Sequence, residues 1–293
     1  MRILILGSEG FVGHNLVQGL KNLHHVSTAD QLEHGHEKNY SKLNILDYEN
    51  VERIVKDVDV VINLVAHTLV SSLSDFTQNA QVNIIGLLNV LEACRKNNIK
   101  KIIFTSASSI VGEPLEFKVS EKHSVTPKTA YGITKMASEH YLRLYNEMYG
   151  MDYVIFRFFN IYGPYQKNGL IPSLYSRIMT EQPVTVFGHG NQIRDYVYIE
   201  DIVPFFEKAI STKISNNLIL NMGAGNGNTI LEVLDHISKI LGIKPKIDFK
   251  PVRPGEIGNF VADTTLLNSV FGMTPSTSLE EGLKKTITWL KNN

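Results

Sequence analysis

Residues 2–13 decide the fold, and they read Arg-Ile-Leu-Ile-Leu-Gly-Ser-Glu-Gly-Phe-Val-Gly. The run Arg2–Leu6 is almost entirely apolar, which is typical of a strand that is buried on both faces. Glycines follow at positions 7, 10 and 13, and a helical pattern begins at about residue 10. A glycine-rich turn between a first strand and a helix is where dinucleotide-binding folds hold a pyrophosphate.

Each glycine of this turn has a separate physical role. Gly7 permits the tight turn, Gly10 lets the backbone approach a pyrophosphate, and Gly13 allows the helix to pack closely on the strand. The free N–H groups and the dipole at the helix N-terminus then favour a bound phosphate. The alternative is an ordinary glycine turn, but its place between a strand and a helix favours the binding interpretation.

The rest of the first half alternates short apolar runs with amphipathic stretches, which is the pattern of βαβ units and a parallel sheet. The predicted strands are Arg2–Leu6, His25–Ala29, Asp59–Leu64, Lys101–Ser106 and Tyr153–Phe158. The predicted helices cover about 10–22, 49–57, 78–98, 130–149, 229–241 and 278–291. We therefore predict an α/β fold, with a Rossmann doubly wound parallel sheet and a smaller α/β substrate-binding lobe.

The regular alternation stops after Phe158, where turn-forming clusters such as Gly223–Gly227 appear. We predict a dinucleotide-binding domain of residues 1–160 plus about 194–221. The smaller lobe then comprises about 161–193 and 222–293.

Composition limits the classes of partner. The chain has 293 residues with 29 basic and 29 acidic ones, so no net charge attracts nucleic acid or an anionic membrane. The apolar start is too short for a signal sequence or a membrane span. Cys94 is the single cysteine, so no internal disulfide forms, and a cytoplasmic location is predicted. The histidines show no metal-binding spacing, and no metal is expected.

Asp30 closes the predicted second strand, near the spacing at which an acidic residue holds the adenosine ribose. A carboxylate there accepts hydrogen bonds from the ribose diol and repels a 2′-phosphate, which favours NAD over NADP. The alternative is an aspartate that merely opens a loop, and the nearby His34 and His36 could weaken the discrimination.

Tyr131 and Lys135 lie at positions i and i+4 of a predicted helix and therefore share one face. A tyrosine with a pKa of ~10 is a poor base near neutrality. A lysine one turn away stabilises the phenolate, which makes proton exchange with a substrate hydroxyl feasible. The hydroxyl-rich run Thr105–Ser109 ends the predicted fourth strand, at the sheet edge where such folds bind ligands.

Together these features resemble the extended short-chain dehydrogenase/reductase superfamily, and within it the NAD-dependent nucleotide-sugar epimerases and dehydratases (UDP-glucose 4-epimerase-like). Four later segments look like family motifs, namely Arg157–Pro164, Arg194–Asp201, Arg253–Glu256 and Ser278–Leu283. The resemblance covers essentially the whole chain.

The resemblance implies two sets of binding residues. Those for the cofactor NAD are Gly7, Gly10, Phe11, Val12, Gly13, Asp30, Gln31, Leu32, Asn44, Ile45, Leu64, Val65, Ala66, Asn83, Tyr131, Lys135 and Phe159. Those for a nucleotide-sugar substrate are Asn160, Leu170, Phe187, Arg194, Arg253 and Glu256. The two arginines would clamp the diphosphate. Their alternative role is in surface salt bridges, for instance to Asp195 or Asp201.

One position departs from the family pattern. Ala107 stands where the family has its catalytic serine or threonine, so Ser106 or Ser108 is expected to supply the hydroxyl, unless the site works without it. Ser108 and Ser109 occupy the two positions at which 4,6-dehydratases carry Asp-Glu, which argues against elimination of water.

The expected function is NAD-dependent epimerisation of a nucleotide sugar at C4, most simply of a UDP-sugar through a transient 4-keto intermediate. The alternatives are an NAD(P)-dependent nucleotide-sugar 4-ketoreductase and a non-catalytic NAD-sensing protein on the same fold. The resemblance also implies a homodimer formed through the helices near 78–98 and 130–149.

Overall fold

The computed structural model describes residues 1–252 and 258–293. The strands are β1 (Arg2–Leu6), β2 (His25–Asp30), β3 (Tyr40–Lys42), β4 (Val60–Asn63), β5 (Lys101–Ala107), β6 (Lys118–Val119), β7 (Asp152–Phe158), β8 (Asn160–Tyr162), β9 (Val184–Phe187), β10 (Ile193–Tyr198), β11 (Leu218–Met222), β12 (Gly227–Thr229), β13 (Ile247–Lys250) and β14 (Val261–Ala262). The helices are α1 (Phe11–Leu20), α2 (Tyr48–Ile54), α3 (Phe76–Ala80), α4 (Gly86–Lys96), α5 (Ala130–Tyr149), α6 (Leu170–Met179), α7 (Ile199–Ser211), α8 (Ile230–Leu241), α9 (Thr265–Phe271) and α10 (Leu279–Asn292). A π-helix spans Gln81–Ile85, and short 3₁₀ turns span Ser71–Leu73 and Ser108–Ile110.

The main sheet runs in the order β11-β7-β5-β4-β1-β2-β3, and each neighbouring pair is parallel. This confirms the predicted doubly wound α/β fold. The chain builds outward from β1 to β3 and then returns to the other side of β1 at β4. Such a reversal opens a crevice at the carboxyl ends of the strands, where open α/β sheets bind ligands.

The central strands are apolar because helices cover both faces of the sheet. Ile3 and Ile5 of β1 pack into the core on the α7 side, whereas Leu4 and Leu6 pack into the core on the α4 side. Adjacent strand residues point to opposite faces, so only a continuous apolar run can serve two cores. Burial of each such side chain stabilises the folded protein by about 1.5–3 kcal/mol.

The strands and helices predicted for this sheet are confirmed, with ends that differ by at most three residues, except for one helix. The predicted helix 78–98 is wrong as a single element, because α3 and α4 are separated by the π-helix Gln81–Ile85. The wider turn of a π-helix re-aims the side chains that follow it, and such turns are frequent at functional sites. The strands β3 and β11 are additional to the prediction.

The remaining strands form small sheets in the order β12-β10-β8, β13-β9 and β14-β6. β10 therefore lies outside the main sheet, while α7, which directly follows it, packs against α1. The residue bounds proposed above for the two lobes stay a prediction.

Among the residues described, no helix has the length and apolarity needed to span a bilayer.

Candidate active site

A cleft of about 1030 Å³ opens at the carboxyl ends of the strands. It is lined by the turn after β1, the ends of β2, β4, β5 and β7, and the first turn of α5. The predicted cofactor residues that line it are Gly7, Gly10, Phe11, Val12, Gly13, Asp30, Gln31, Leu32, Asn44, Ile45, Leu64, Val65, Ala66, Tyr131, Lys135 and Phe159. Ser106, Ser108 and Asn160 also line this cleft, so the predicted catalytic residues share it with the cofactor set.

The glycine-rich turn has the geometry of a phosphate cradle. Gly7 has φ +83°, a left-handed conformation that favours glycine. A Cβ at Gly13 would lie 2.1 Å from the carbonyl oxygen of Gly7, so only glycine lets α1 approach the turn this closely. No side chain in the described part of the chain caps the start of α1 at Gly10. The first N–H groups of this helix are thus suited to a phosphate.

Asp30 ends β2 beside this turn. Its carboxylate accepts hydrogen bonds from the backbone N–H of Glu9 at 3.1 Å and of Gln31 at 2.7 Å. Burial is the largest influence and raises the pKa of Asp30 despite these bonds, and the charge of Glu9 raises it further. The carboxylate therefore occupies the predicted position for the adenosine ribose, and its role there stays a prediction.

Lys135 is buried behind Tyr131 at the start of α5. The helix begins where the Thr129 side chain accepts the N–H of Gly132 at 3.1 Å, which sets both residues against the end of β5. Lys135 Nζ donates to the carbonyl oxygen of Thr105 at 2.7 Å and lies 5.7 Å from the centre of the Tyr131 ring.

The ionisation of this pair is controlled by burial. Burial lowers the pKa of Lys135 to about 7 and raises the pKa of Tyr131 to about 12. Burial therefore sets the direction of both shifts, and the stabilisation of the Tyr131 phenolate by Lys135 stays a prediction. A positive charge beside the phenol would favour its ionised form.

Two serine residues close to Ala107 have buried hydroxyls. The Oγ atoms of Ser106 and Ser109 find no hydrogen-bond partner among the described residues, and both residues line the cleft. A buried hydroxyl without a partner costs about 1–3 kcal/mol, so these atoms are suited to a polar ligand. Sequence reasoning selected Ser106 and Ser108 and passed over Ser109, because burial of a hydroxyl depends on the fold.

Asn83 differs from the other predicted cofactor residues, since it is buried behind the wall of the cleft. Its Oδ1 accepts the N–H of His67 at 2.7 Å, and its Nδ2 donates to Thr134 Oγ1 at 3.0 Å. Asn79 Nδ2 donates to the carbonyl oxygen of His67 at 2.9 Å. Asn83 thus positions the segment at His67 against α5. The sequence indicated Asn83, but it revealed neither the role of Asn79 nor the hydrogen-bond partners of either residue.

The predicted substrate residues that the structure describes lie on four successive elements, from β8 to β10. Asn160 lines the cleft and donates to the carbonyl oxygen of Asp195 at 3.1 Å. Leu170 begins α6, Phe187 ends β9, and Arg194 lies in β10, all outside the lining of this cleft. Arg253 and Glu256 lie outside the described residues.

The two aspartates named above as possible partners of the arginines bind backbone groups. Asp195 is fully buried, and burial raises its pKa to about 6. Its carboxylate accepts backbone N–H groups at 2.7–3.0 Å from residues 224, 225 and 262. Asp201 accepts those of residues 276 and 277. Both carboxylates therefore fix loops of the second lobe.

Residues 1–252 and 258–293 contain no cluster of three His, Cys, Asp or Glu side chains that could hold a metal ion. Cys94 is buried in the core, and burial raises the pKa of its thiol to about 12, so the thiol is unreactive.

Comparison with known proteins matches residues 3–223 to the family described as "NAD dependent epimerase/dehydratase family". A putative UDP-glucose 4-epimerase of Methanocaldococcus jannaschii is 34% identical over 99% of both chains. The crystal structure of a UDP-glucose 4-epimerase from Thermotoga maritima with UDP-glucose has a TM-score of 0.93 and 32% identity, and covers 100% of this chain and 99% of its own. A UDP-glucuronic acid 4-epimerase from Bacillus cereus, in complex with UDP-glucuronic acid and NAD, has a TM-score of 0.93 and 29% identity with the same coverage.

Proposed function

The chain belongs to the NAD-dependent epimerase/dehydratase family, and from that premise we propose that it is a UDP-sugar 4-epimerase. Membership of this family confirms the prediction that the protein is an enzyme with NAD as its cofactor. The UDP-sugar substrate and C4 as the epimerised carbon are the proposal. The observation that carries it is that Tyr131, Lys135, Ser106 and Ser109 line one cleft together with the glycine-rich turn.

The residues of the cleft fit NAD. The glycine-rich turn and the start of α1 would hold the pyrophosphate, Asp30 the adenosine ribose, and Leu64–Ala66 with Phe159 the nicotinamide side. When bound, NAD supplies the acceptor and later the donor of a hydride, together with a positive charge in its oxidised form. A positive charge beside the phenol would favour the phenolate form of Tyr131, whose pKa burial raises.

Tyr131 is the residue that moves the proton. It takes the proton of the C4 hydroxyl as the C4–H bond is broken, and it returns a proton to the C4 oxygen when hydride is added to the opposite face of the 4-keto sugar. Lys135 holds the nicotinamide ribose and favours the phenolate. In the second lobe Arg194 and Arg253 hold the diphosphate while the sugar turns, and Asn160, Leu170, Phe187 and Glu256 complete the nucleotide site.

A 4-ketoreductase would use the same Tyr131 and Lys135 and release its cofactor after each turnover. The relatives that span the full chain favour epimerisation, since they are named as UDP-glucose and UDP-glucuronic acid 4-epimerases. Elimination of water is disfavoured because Ser108 and Ser109 replace the acid–base pair of dehydratases.

The test is an assay of the purified protein on UDP-glucose, UDP-glucuronic acid and UDP-N-acetylglucosamine without added cofactor. We expect one of these to be converted to its 4-epimer, and bound NAD to be released on denaturation. Inactivity on all three, even with NAD added, would contradict the proposal.

Serine substitutions test which hydroxyl replaces the one missing at Ala107. We expect Ser106→Ala combined with Ser109→Ala to lower kcat by about a hundredfold, the typical loss for a donor to a reacting oxygen. Adding Ala107→Ser to this double variant should restore at least about a tenth of the activity. A larger loss from Ser108→Ala alone than from the double variant would assign the role to Ser108 instead.

We further propose that the enzyme works in the cytoplasm as a homodimer. The lone buried cysteine suits a reducing compartment. Support for the dimer comes from Ile85, Leu144, Met148 and Tyr149, which are exposed apolar side chains on or beside α4 and α5. Light scattering of the purified protein measures the assembly directly.

A further inference from the structure

Glu9 places a second carboxylate at the Asp30 corner of the cleft. It is the third residue of the glycine-rich turn and lines the cleft, and its side chain is 5% exposed. Its backbone N–H donates to Asp30 Oδ2 at 3.1 Å. The charge of Glu9 also raises the pKa of Asp30, so the two carboxylates interact across this corner.

Both oxygens of the Glu9 carboxylate are held by neighbours. Oε1 accepts a hydrogen bond from the buried Ser8 hydroxyl at 3.2 Å, and Oε2 pairs with the ring nitrogen Nδ1 of His36. His36 is mostly exposed and lies in the loop after β2. The carboxylate therefore has a fixed position.

We propose that Glu9 is a second determinant of cofactor choice, which together with Asp30 excludes a dinucleotide phosphorylated on its adenosine ribose. This inference rests on the predicted place of Asp30 at that ribose. A ribose phosphate carries a charge of about −1.5 to −2 near neutrality, so it is repelled by each carboxylate independently.

Two basic side chains near this corner already contact carboxylates. His36 pairs with Glu9, and Lys42, which lines the cleft, pairs with Glu33. A phosphate bound here would have to displace one of these pairs. Removal of Asp30 alone therefore leaves a negative corner, and discrimination against NADP persists.

The experiment measures the dissociation constants of NAD and NADP on cofactor-free protein by titration calorimetry. The variants are Asp30→Asn, Glu9→Gln and their combination. We expect Asp30→Asn to retain at least about a tenfold preference for NAD, and the double variant to bind both dinucleotides within about threefold. Glu37→Gln is the matched control, because Glu37 pairs with Lys21 and neither residue lines the cleft. This variant should prefer NAD over NADP to the same extent as the parent protein.

The proposal would be overturned if Asp30→Asn alone bound NAD and NADP with equal affinity. It would also be overturned if adding Glu9→Gln to Asp30→Asn left the preference for NAD unchanged. Thermal melting and NAD affinity check that each variant is folded, and Glu9→Ser replaces Glu9→Gln if the latter does not fold. Binding is measured without turnover, so failure here is distinct from failure of the proposed epimerase activity.

Discussion

Replacing Tyr131 by phenylalanine is expected to lower kcat by about a thousandfold while NAD remains bound. The substitution removes only the phenolic oxygen, the group proposed above to take the hydroxyl proton. General acid–base groups contribute about a hundredfold to ten-thousandfold to rate, and NAD contacts made elsewhere in the cleft are unaffected.

Tyr149→Phe provides the matched control for this variant. Tyr149 lies at the far end of the same helix, α5, outside the cleft lining, and the substitution keeps the ring that contacts Arg95 and that the proposed dimer would cover. We expect it to keep kcat within about twofold. Retention of more than a tenth of the activity by Tyr131→Phe, with normal NAD content, would remove Tyr131 from the role of base.

Replacing Lys135 by methionine is expected to have opposite effects on activity and on stability. kcat should fall by at least about a hundredfold, because the phenolate loses its cationic neighbour. The cofactor-free protein should become more stable, with a melting temperature raised by at least about 5 °C near pH 7. The reason is that burial lowers the pKa of Lys135 to about 7, which makes the amine costly to keep in the core.

The gain in stability should depend on pH with a defined sign. Lys135 has a pKa of about 7 in the folded protein against a model value of 10.5, so the unfolded chain binds more protons between these two values. The unfolding free energy of the parent therefore rises with pH across this window, while the methionine variant lacks that contribution. The difference between the two proteins should shrink by about 1.4 kcal/mol for each pH unit.

Denaturant unfolding of both proteins at several pH values between about 7 and 10 measures this difference. Lys128→Met serves as control, because Lys128 is an exposed residue paired with Glu113 and should show no such trend. A stability difference that stays constant with pH would show that the cost of burying the amine is not the cause.

Elements specified by local sequence could be predicted closely. Helix α5 was placed correctly because its ends are set locally, by the Thr129 cap and by Gly150 with φ +67°. Strand β1 and the turn after it were likewise readable, since a buried strand and its glycines occupy consecutive positions. The pairing of Tyr131 with Lys135 on one helix face followed from the helical repeat alone.

Features that depend on tertiary contacts were beyond the sequence. The π-helix that turns Asn83 towards His67 is stabilised by hydrogen bonds to a distant loop and to Thr134 on α5. The edge strands β3 and β11 form because they pair with β2 and β7, not because of a strong local pattern. The pKa values of Tyr131 and Lys135 follow from burial, which spacing does not reveal.

The most direct test of 4-epimerisation follows the hydrogen at C4. A UDP-sugar that the enzyme accepts is labelled with deuterium at C4 and converted without added cofactor, and the product is analysed by NMR. The proposed reaction predicts a 4-epimer that retains the deuterium at C4, because the hydride leaves and returns within one active site. Loss of the label to solvent, or conversion only with stoichiometric consumption of NADH or NADPH, would contradict the assignment.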